Sequence, residues 1–291
     1  MTQKNRLSAM RSRVRGRTVF LGFLGSVAAT YALLLAYHFT VPPKAKANAN
    51  LLEQCRLLCQ ELGLIPTGHV ANDARAYLEI FKPWQLSDDL AAELSDSEFE
   101  PSPTQSHPLV GHTAPDFQLV DDRGNSHSLK QLLSDGPTVI VFYYGYGCSH
   151  CVAQLFAIDK DIRHFHELGA NVVALSADSS QETADKFAKY GRFGFPTLSD
   201  SNNSVAQKYG TFVPAQTEKD EDLQHGTFII SKDGRVLWAY IGPTPFIDNK
   251  SLLFLLAKEQ ERLPTPASTN RADLLSTSRM RRAINQQEDL Q

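Results

Sequence analysis

The chain has 291 residues, which is enough for one sizeable domain with appended segments. A formal net charge of −3 favours neither nucleic acid nor an acidic substrate as a partner. Four cysteines are too few for a disulfide-stapled scaffold, and they fall into two spaced pairs, Cys55/Cys59 and Cys148/Cys151.

The N-terminus predicts a membrane anchor. Residues 1–17 carry six Lys or Arg and no acid, and we expect them to form a basic cytoplasmic N-terminus. Residues 18–41 contain no Asp, Glu, Lys or Arg and are long enough for a transmembrane helix, which needs about 20 apolar residues. The catalytic domain of this single-pass protein would then be extracytoplasmic, and periplasmic if the source is bacterial.

A cleaved signal peptide is the competing interpretation, because Ala45-Lys46-Ala47 resembles a cleavage site. We favour the anchor, since the apolar run exceeds the roughly 7–15 residues of a signal core. Both interpretations place the cysteines in an oxidising compartment.

Residues 48–98 predict a small helical segment, with helices over 51–62, 72–81 and 87–94. Cys55 and Cys59 fall on one face of the first helix, four residues apart. They are a possible second thiol pair that exchanges electrons with Cys148/Cys151 or binds a soft metal. The alternative is two small buried hydrophobic residues. A Pro/Ser-rich stretch, residues 99–108, predicts a linker.

Residues 109–262 predict an α/β domain. Strands are expected over 117–120, 138–144, 171–177, 227–231 and 235–241, with helices between them and a closing helix over 248–262. This order indicates a mixed central sheet flanked by helices. Residues 263–291, rich in Pro, Ser, Thr, Asn and Gln, predict a flexible tail.

The chemistry is expected at Cys148-Ser149-His150-Cys151, where the strand over 138–144 gives way to a helix after two glycines. A helix N-terminus favours an anion and lowers the pKa of a cysteine there. A protonated His150 would stabilise the thiolate further. The alternatives are an inert disulfide or half a zinc site. No second CxxC accompanies the motif, so neither a metal nor a cofactor is predicted.

Several motifs in order resemble the peroxiredoxin and redoxin branch (alkyl hydroperoxide reductase/thiol-specific antioxidant) of the thioredoxin superfamily. The motifs are Gly111-x-x-Ala114-Pro115-Asp116-Phe117, the strand and CxxC above, Phe195-Pro196-Thr197-Leu198-Ser199-Asp200, Val205-Ala206-x-x-Tyr209-Gly210 and Gly226-Thr227-Phe228-Ile229-Ile230. The resemblance covers residues 109–262 and implies a thioredoxin-like fold and an antioxidant or redox enzyme.

The chain departs from the peroxiredoxin pattern at the site itself. If Cys151 is matched to the peroxidatic cysteine, Tyr144 stands at the family's proline and Cys148 at its Thr or Ser. His225 stands where an arginine precedes the later strand. If the chain is matched to thioredoxins instead, Gly226-Thr227 occupies the place of the cis-proline. Tyr144, His225 and Thr227 are therefore expected to support the site.

These observations lead to three functional hypotheses. The first is a membrane-tethered thiol–disulfide oxidoreductase in which Cys148 attacks, Cys151 resolves and His150 tunes the thiolate. Its partners would be protein thiols or disulfides, a thiol electron donor or acceptor, and the membrane through residues 18–41, but no nucleic acid. The second is a thiol-dependent peroxidase. The third is a copper-binding assembly factor using Cys148, Cys151 and His225.

Overall fold

The computed structural model describes residues 22–33, 57, 59–61, 63–64, 67–215 and 222–261. The chain divides into two units, Met1–Asn50 and Leu51–Gln291. In the first unit, residues 22–33 are helical. Within the described ranges, no helix has both the length and the apolar character required to cross a membrane. The rest of the predicted span, residues 18–21 and 34–41, lies outside those ranges, and the anchor stays a prediction.

A seven-stranded mixed sheet forms the centre of the second unit. Its order is β2-β1-β5-β4-β3-β8-β9. The strands are β1 (Gln118–Asp121), β2 (Ser126–Ser128), β3 (Thr138–Phe142), β4 (Asn171–Ser176), β5 (Thr197–Ser199), β8 (His225–Ile230) and β9 (Val236–Gly242). β3 pairs parallel with β4 and antiparallel with β8. A separate two-stranded ribbon joins β6 (Phe212–Val213) to β7 (Asp222–Leu223). The predicted thioredoxin-like α/β fold is confirmed.

Helices cover both faces of the sheet, because the central strands are apolar on both sides. The helices are α1 (Val70–Phe81), α2 (Leu90–Leu94), α3 (Leu129–Asp135), α4 (Ser149–Glu167), α5 (Ser180–Tyr190), α6 (Ser204–Lys208) and α7 (Asn249–Glu259). Alternate residues of β3 point to opposite faces. Val139 and Val141 join one core with α4 and α7. Ile140 and Phe142 join the other core with α6.

The N-terminal helices of this unit begin later or earlier than the sequence predicts. α1 begins at Val70, since the His69 side chain accepts a hydrogen bond from the Asn72 amide. α2 begins at Leu90, because Asp89 caps it by accepting from the amides of Ala91 and Ala92. Of the helix predicted over 51–62, residues 57 and 59–61 are described and helical.

The region predicted as a linker lies against the sheet edge. The Gln105 amide donates to the Ala239 carbonyl at 2.9 Å, and Trp238 Nε1 donates to the Ser102 carbonyl at 2.9 Å. Backbone groups of residues 102–105 are thereby paired with β9. These contacts fix the course of the chain between the small helical segment and the sheet.

β8 begins two residues earlier than the predicted strand, at His225 instead of Thr227. The strand extends because two further residues pair with neighbouring strands, although neither residue type favours a strand. Gly226 lies opposite Phe142 of β3, and His225 lies opposite Gly242 of β9. A Cβ on Gly226 would lie 2.3 Å from Thr211 Cγ2, so this central position requires glycine. The earlier start places His225 inside the sheet, on the same strand as Thr227.

Candidate active site

The turn between β3 and α4 is fixed by a carboxylate from the neighbouring strand. Asp178, two residues after β4, accepts a hydrogen bond from the Tyr146 amide at 2.8 Å. Gly145 has a φ of 108°, and a Cβ there would lie 2.6 Å from Asp178 Oδ1. Glycine therefore permits both the backbone conformation and the close approach of the carboxylate. Sequence reasoning missed Asp178, although its place after a parallel strand beside β3 was a usable signal.

Cys148 and Cys151 lie where the spacing predicts. Cys148 is the N-cap residue of α4, Cys151 is in the first turn, and the two form a disulfide. Both side chains have 0% exposure. After reduction, a thiolate here would face the unpaired amides and positive dipole end of α4. That environment favours the thiolate over the thiol.

His150 contacts two sulfur atoms through one nitrogen. Its Nδ1 lies 3.1 Å from Cys59 Sγ and 3.4 Å from Cys148 Sγ. The ring is buried and stacks against Tyr77, with centroids 5.8 Å apart. Burial lowers the pKa of His150 to about 4, so the imidazole is neutral at pH 7. The expected protonated imidazole is therefore replaced by a neutral ring that acts through hydrogen bonds.

The second predicted thiol pair is only partly visible. Cys59 is a buried free cysteine, and Cys55 lies outside the described residues. Burial raises the pKa of the Cys59 thiol, and the bond with His150 opposes that shift. The structure thus brings Cys59 to His150, ninety-one residues away in sequence, which helical spacing alone did not indicate.

His225 contacts the rings of both Tyr144 and His150. The ring centroids of His225 and Tyr144 are 4.7 Å apart, and those of His225 and His150 are 5.6 Å apart. His225 is fully buried, and neither ring nitrogen has a hydrogen-bond partner among the described residues. Burial and the proximity of His150 hold the pKa of His225 well below its usual value. Burial, followed by the charge of Asp222, raises the pKa of Tyr144 to about 12.

The third predicted supporting residue, Thr227, lies in the core, whereas Tyr144 is half-buried. Thr227 is fully buried, and its Oγ1 accepts a hydrogen bond from Gln154 Nε2 at 2.8 Å. Gln154 was missed by sequence reasoning, although an amide one turn after Cys151 on an apolar helix face is a usable signal.

A surface cleft reaches part of this site. It has a volume of about 470 Å³ and lies between the small helical segment and the start of α4. Its wall includes Cys59, Asp73, Ser149 and His150. Asp73 joins the two sides, because it accepts hydrogen bonds from Thr67 and, at 3.3 Å, from Ser149 Oγ. Among the described lining residues, neither Cys148 nor Cys151 appears.

One group of side chains has the composition of a soft-metal site. The ligand atoms of Cys148, His150 and Cys151 lie within 4.8 Å of one another. Cysteine binds metals as the thiolate, so this set becomes available only when the disulfide is reduced. It contains His150 in place of the His225 that the sequence suggested.

Comparisons with known proteins identify relatives over the α/β domain. The AhpC/TSA family matches residues 110–239. A protein of Mycobacterium tuberculosis, provisionally named a peroxiredoxin, is 35% identical over 128 residues, which are 44% of this chain and 82% of the relative. The chloroplastic peroxiredoxin Q of Sedum lineare is 33% identical over 130 residues, covering 45% of this chain and 67% of the relative.

A second kind of relative carries a different activity in its name. The thiol–disulfide oxidoreductase ResA of Bacillus thuringiensis is 27% identical over 128 residues, covering 44% of this chain and 67% of the relative. Among solved structures, peroxidoxin BcpB from Mycobacterium tuberculosis is 31% identical and is matched with a TM-score of 0.46. The match covers 53% of this chain and 98% of that chain.

Proposed function

The chain belongs to the AhpC/TSA family and is an oxidoreductase, and from this premise we propose that it is a thiol–disulfide oxidoreductase working through Cys148 and Cys151. The observation that carries the proposal is the disulfide between the N-cap residue and the first turn of α4. Two cysteines so placed can alternate between a disulfide and a dithiol. Membership of the family alone does not choose between its reactions.

The proposed reaction exchanges two electrons between the pair and a substrate. In the reducing direction, the Cys148 thiolate attacks one sulfur of a substrate disulfide, and the substrate's other sulfur leaves as a thiolate that takes up a proton. Cys151 then loses its proton and attacks Cys148. This closes the internal disulfide and releases the second substrate thiol. The oxidising direction transfers two electrons the other way, from a substrate dithiol to the Cys148–Cys151 disulfide.

Neutral His150 has a defined part in this reaction. Its Nδ1 is 3.4 Å from Cys148 Sγ, so the ring can donate a hydrogen bond to a thiolate there in the appropriate tautomer. A hydrogen bond to the charged form favours that form. The helix N-terminus acts in the same direction.

A redox titration of the full-length protein tests the proposal. We expect the Cys148–Cys151 pair to titrate as a reversible two-electron couple in dithiothreitol buffers, followed by thiol labelling and mass mapping. In a Cys55→Ser/Cys59→Ser background, which removes the other thiols, Cys151→Ser should accumulate a mixed disulfide at Cys148, whereas Cys148→Ser should accumulate none at Cys151. A pair that cannot be reduced and reoxidised, or equal trapping at both cysteines, would contradict this mechanism.

Thiol-dependent peroxidase activity is a second candidate, favoured by the identity to proteins named as peroxiredoxins. In that reaction, peroxide would oxidise the Cys151 thiolate to a sulfenic acid, releasing water or an alcohol. Cys148 would then form the disulfide and release water. Treatment of the reduced full-length protein with hydrogen peroxide distinguishes peroxidase activity from thiol–disulfide exchange. Peroxidase activity predicts that dimedone labels a sulfenic acid at Cys151 in the Cys148→Ser variant. The exchange proposal predicts little labelling and slow peroxide consumption.

The soft-metal composition of the site supports a copper-binding alternative, which the same protein preparation tests. A copper assembly factor would retain stoichiometric Cu(I) when reduced, and the thiolates would be unavailable for exchange. The exchange proposal instead predicts a reduced protein whose Cys148 and Cys151 react with disulfides in the absence of copper.

We further propose that residues 18–41 anchor the protein and place the oxidoreductase domain outside the cytoplasm. The absence of charged residues in that stretch and the basic residues before it support this arrangement. Alkaline extraction should leave the full-length protein in the membrane fraction. Protease added from the extracytoplasmic side should remove the α/β domain. Release into the soluble fraction, or protection of the domain, would contradict it.

A further inference from the structure

The cleft beside the active site is not lined by the two disulfide-bonded cysteines. Cys148 and Cys151 have 0% exposure, so a substrate thiol cannot reach either sulfur in this conformation. The cleft of about 470 Å³ leads from the surface to Cys59 and His150. Among the described residues that line this cleft, the redox-capable one is therefore Cys59, which is 3% exposed.

Cys59 is also linked to the disulfide by a shared contact. His150 Nδ1 lies 3.1 Å from Cys59 Sγ and 3.4 Å from Cys148 Sγ. The two sulfurs are thus held on the same nitrogen of a buried ring, whose position is supported by stacking on Tyr77. Such proximity gives an intramolecular thiol a large rate advantage over one from solution.

We propose that Cys59 is a catalytic exchange thiol that connects the buried Cys148–Cys151 disulfide to a dithiol substrate bound in the cleft. This inference rests on the proposed thiol–disulfide function and adds the path by which electrons pass from the substrate through Cys59 to the disulfide. The substrate class is a protein or peptide dithiol, presented on a segment narrow enough to enter between the small helical segment and the start of α4.

The exchange conserves electrons at each step. Cys59 loses its proton and attacks Cys148 Sγ, so a Cys59–Cys148 bond forms while the Cys148–Cys151 bond breaks. The electron pair of the broken bond goes to Cys151, which takes up a proton. A substrate thiol then attacks Cys59, and Cys148 leaves as the thiolate. The second substrate thiol releases Cys59, which leaves the substrate oxidised and the protein reduced by two electrons.

A trapping experiment on the full-length chain tests the first step. Cys55→Ser is the background throughout, because it removes the other nearby thiol in sequence. In Cys55→Ser/Cys151→Ser, diamide should generate a Cys59–Cys148 disulfide that mass mapping identifies. The matched variant Cys55→Ser/Cys148→Ser should form no Cys59–Cys151 disulfide. No bond in the first variant, or equal yields in both, would overturn the assignment.

A kinetic experiment tests the route without relying on a trapped state. Reduction of the Cys148–Cys151 disulfide by dithiothreitol should be about tenfold slower in Cys55→Ser/Cys59→Ser than in Cys55→Ser. Cys55→Ser/Cys59→Ala should be slowed equally, since a thiol and not packing is required. Equal rates with and without Cys59 would overturn the relay. A Cys55→Ser protein whose central pair does not cycle at all would instead contradict the proposed function.

Discussion

Gln154 Nε2 donates a hydrogen bond of 2.8 Å to Thr227 Oγ1 in a region where both side chains have 0% exposure. The bond joins α4, one turn after Cys151, to the central strand β8. Thr227 was predicted to support the site, at the place of a cis-proline. In the structure it contacts the helix that carries both cysteines.

Replacing Thr227 tests that support. Thr227→Val keeps the shape of the side chain but removes the acceptor, and leaves a buried amide donor unpaired. We expect the free energy of unfolding to fall by about 1–3 kcal/mol. Thr227→Ser retains the hydroxyl and should lose less. Denaturant unfolding of the oxidised full-length protein measures both, and a Thr227→Val protein as stable as Thr227→Ser would contradict the assignment.

Gly226 provides a prediction about packing in the same strand. A Cβ at this position would lie 2.3 Å from Thr211 Cγ2 and 3.1 Å from Phe228 Cε2. Gly226→Ala should therefore destabilise the fold by about 1–3 kcal/mol, as overpacked cores do. Thr211→Ser removes the methyl group of the closest contact, so Gly226→Ala/Thr211→Ser should recover part of the loss. Denaturant unfolding measures the loss in each variant. If the losses of Gly226→Ala and Thr211→Ser simply add in the double variant, the predicted steric clash between these two residues is absent.

The fold was predictable because its central strands are unusually apolar. β3 and β4 are buried on both faces, and their runs of branched residues stand out in the sequence. The start of α4 at the CxxC motif was also predictable, because two glycines interrupt the chain shortly after the apolar strand β3. Short strands such as β5, β6 and β7 were not predicted, because two or three residues are too few to show the alternation of apolar and polar residues that marks a strand.

The site was only partly predictable, because its electrostatics depend on tertiary burial. The protonated His150 expected from the motif assumed a solvent-accessible ring, whereas the segment around Cys59 and Tyr77 covers it. No local pattern connects Cys59 to His150 or Asp178 to Tyr146. These contacts join chain segments that are far apart in sequence.

Asp178 provides a prediction about the turn before Cys148. Its carboxylate accepts the Tyr146 amide at 2.8 Å, and Asp178→Ala would remove that acceptor. We expect the Tyr146 amide to lose hydrogen-exchange protection, and the free energy of unfolding to fall by about 1–3 kcal/mol. Asp178→Asn retains an oxygen acceptor and should preserve most of the protection. Equal protection of the Tyr146 amide in Asp178→Ala and the parent would show that the carboxylate does not hold the turn.

The buried histidines predict how stability depends on pH. The pKa of His150 is about 4 in the folded protein, below the usual value of 6.5, and the pKa of His225 is also depressed. As pH falls below 6.5, the unfolded chain binds protons on these rings while the folded protein does not. The free energy of unfolding is therefore highest above pH 6.5. It decreases as pH falls toward 4, by up to about 1.4 kcal/mol per pH unit for each ring.

Denaturant unfolding of the oxidised full-length protein between pH 4.5 and 7.5 measures this dependence. His225→Leu removes one of the two rings, so its stability should fall less steeply below pH 6.5 than that of the parent. The matched control is Thr227→Val, which removes a buried hydroxyl but no titratable group and should keep the parent's slope. A His225→Leu profile parallel to the parent's would mean that His225 binds a proton as readily in the folded protein as in the unfolded chain.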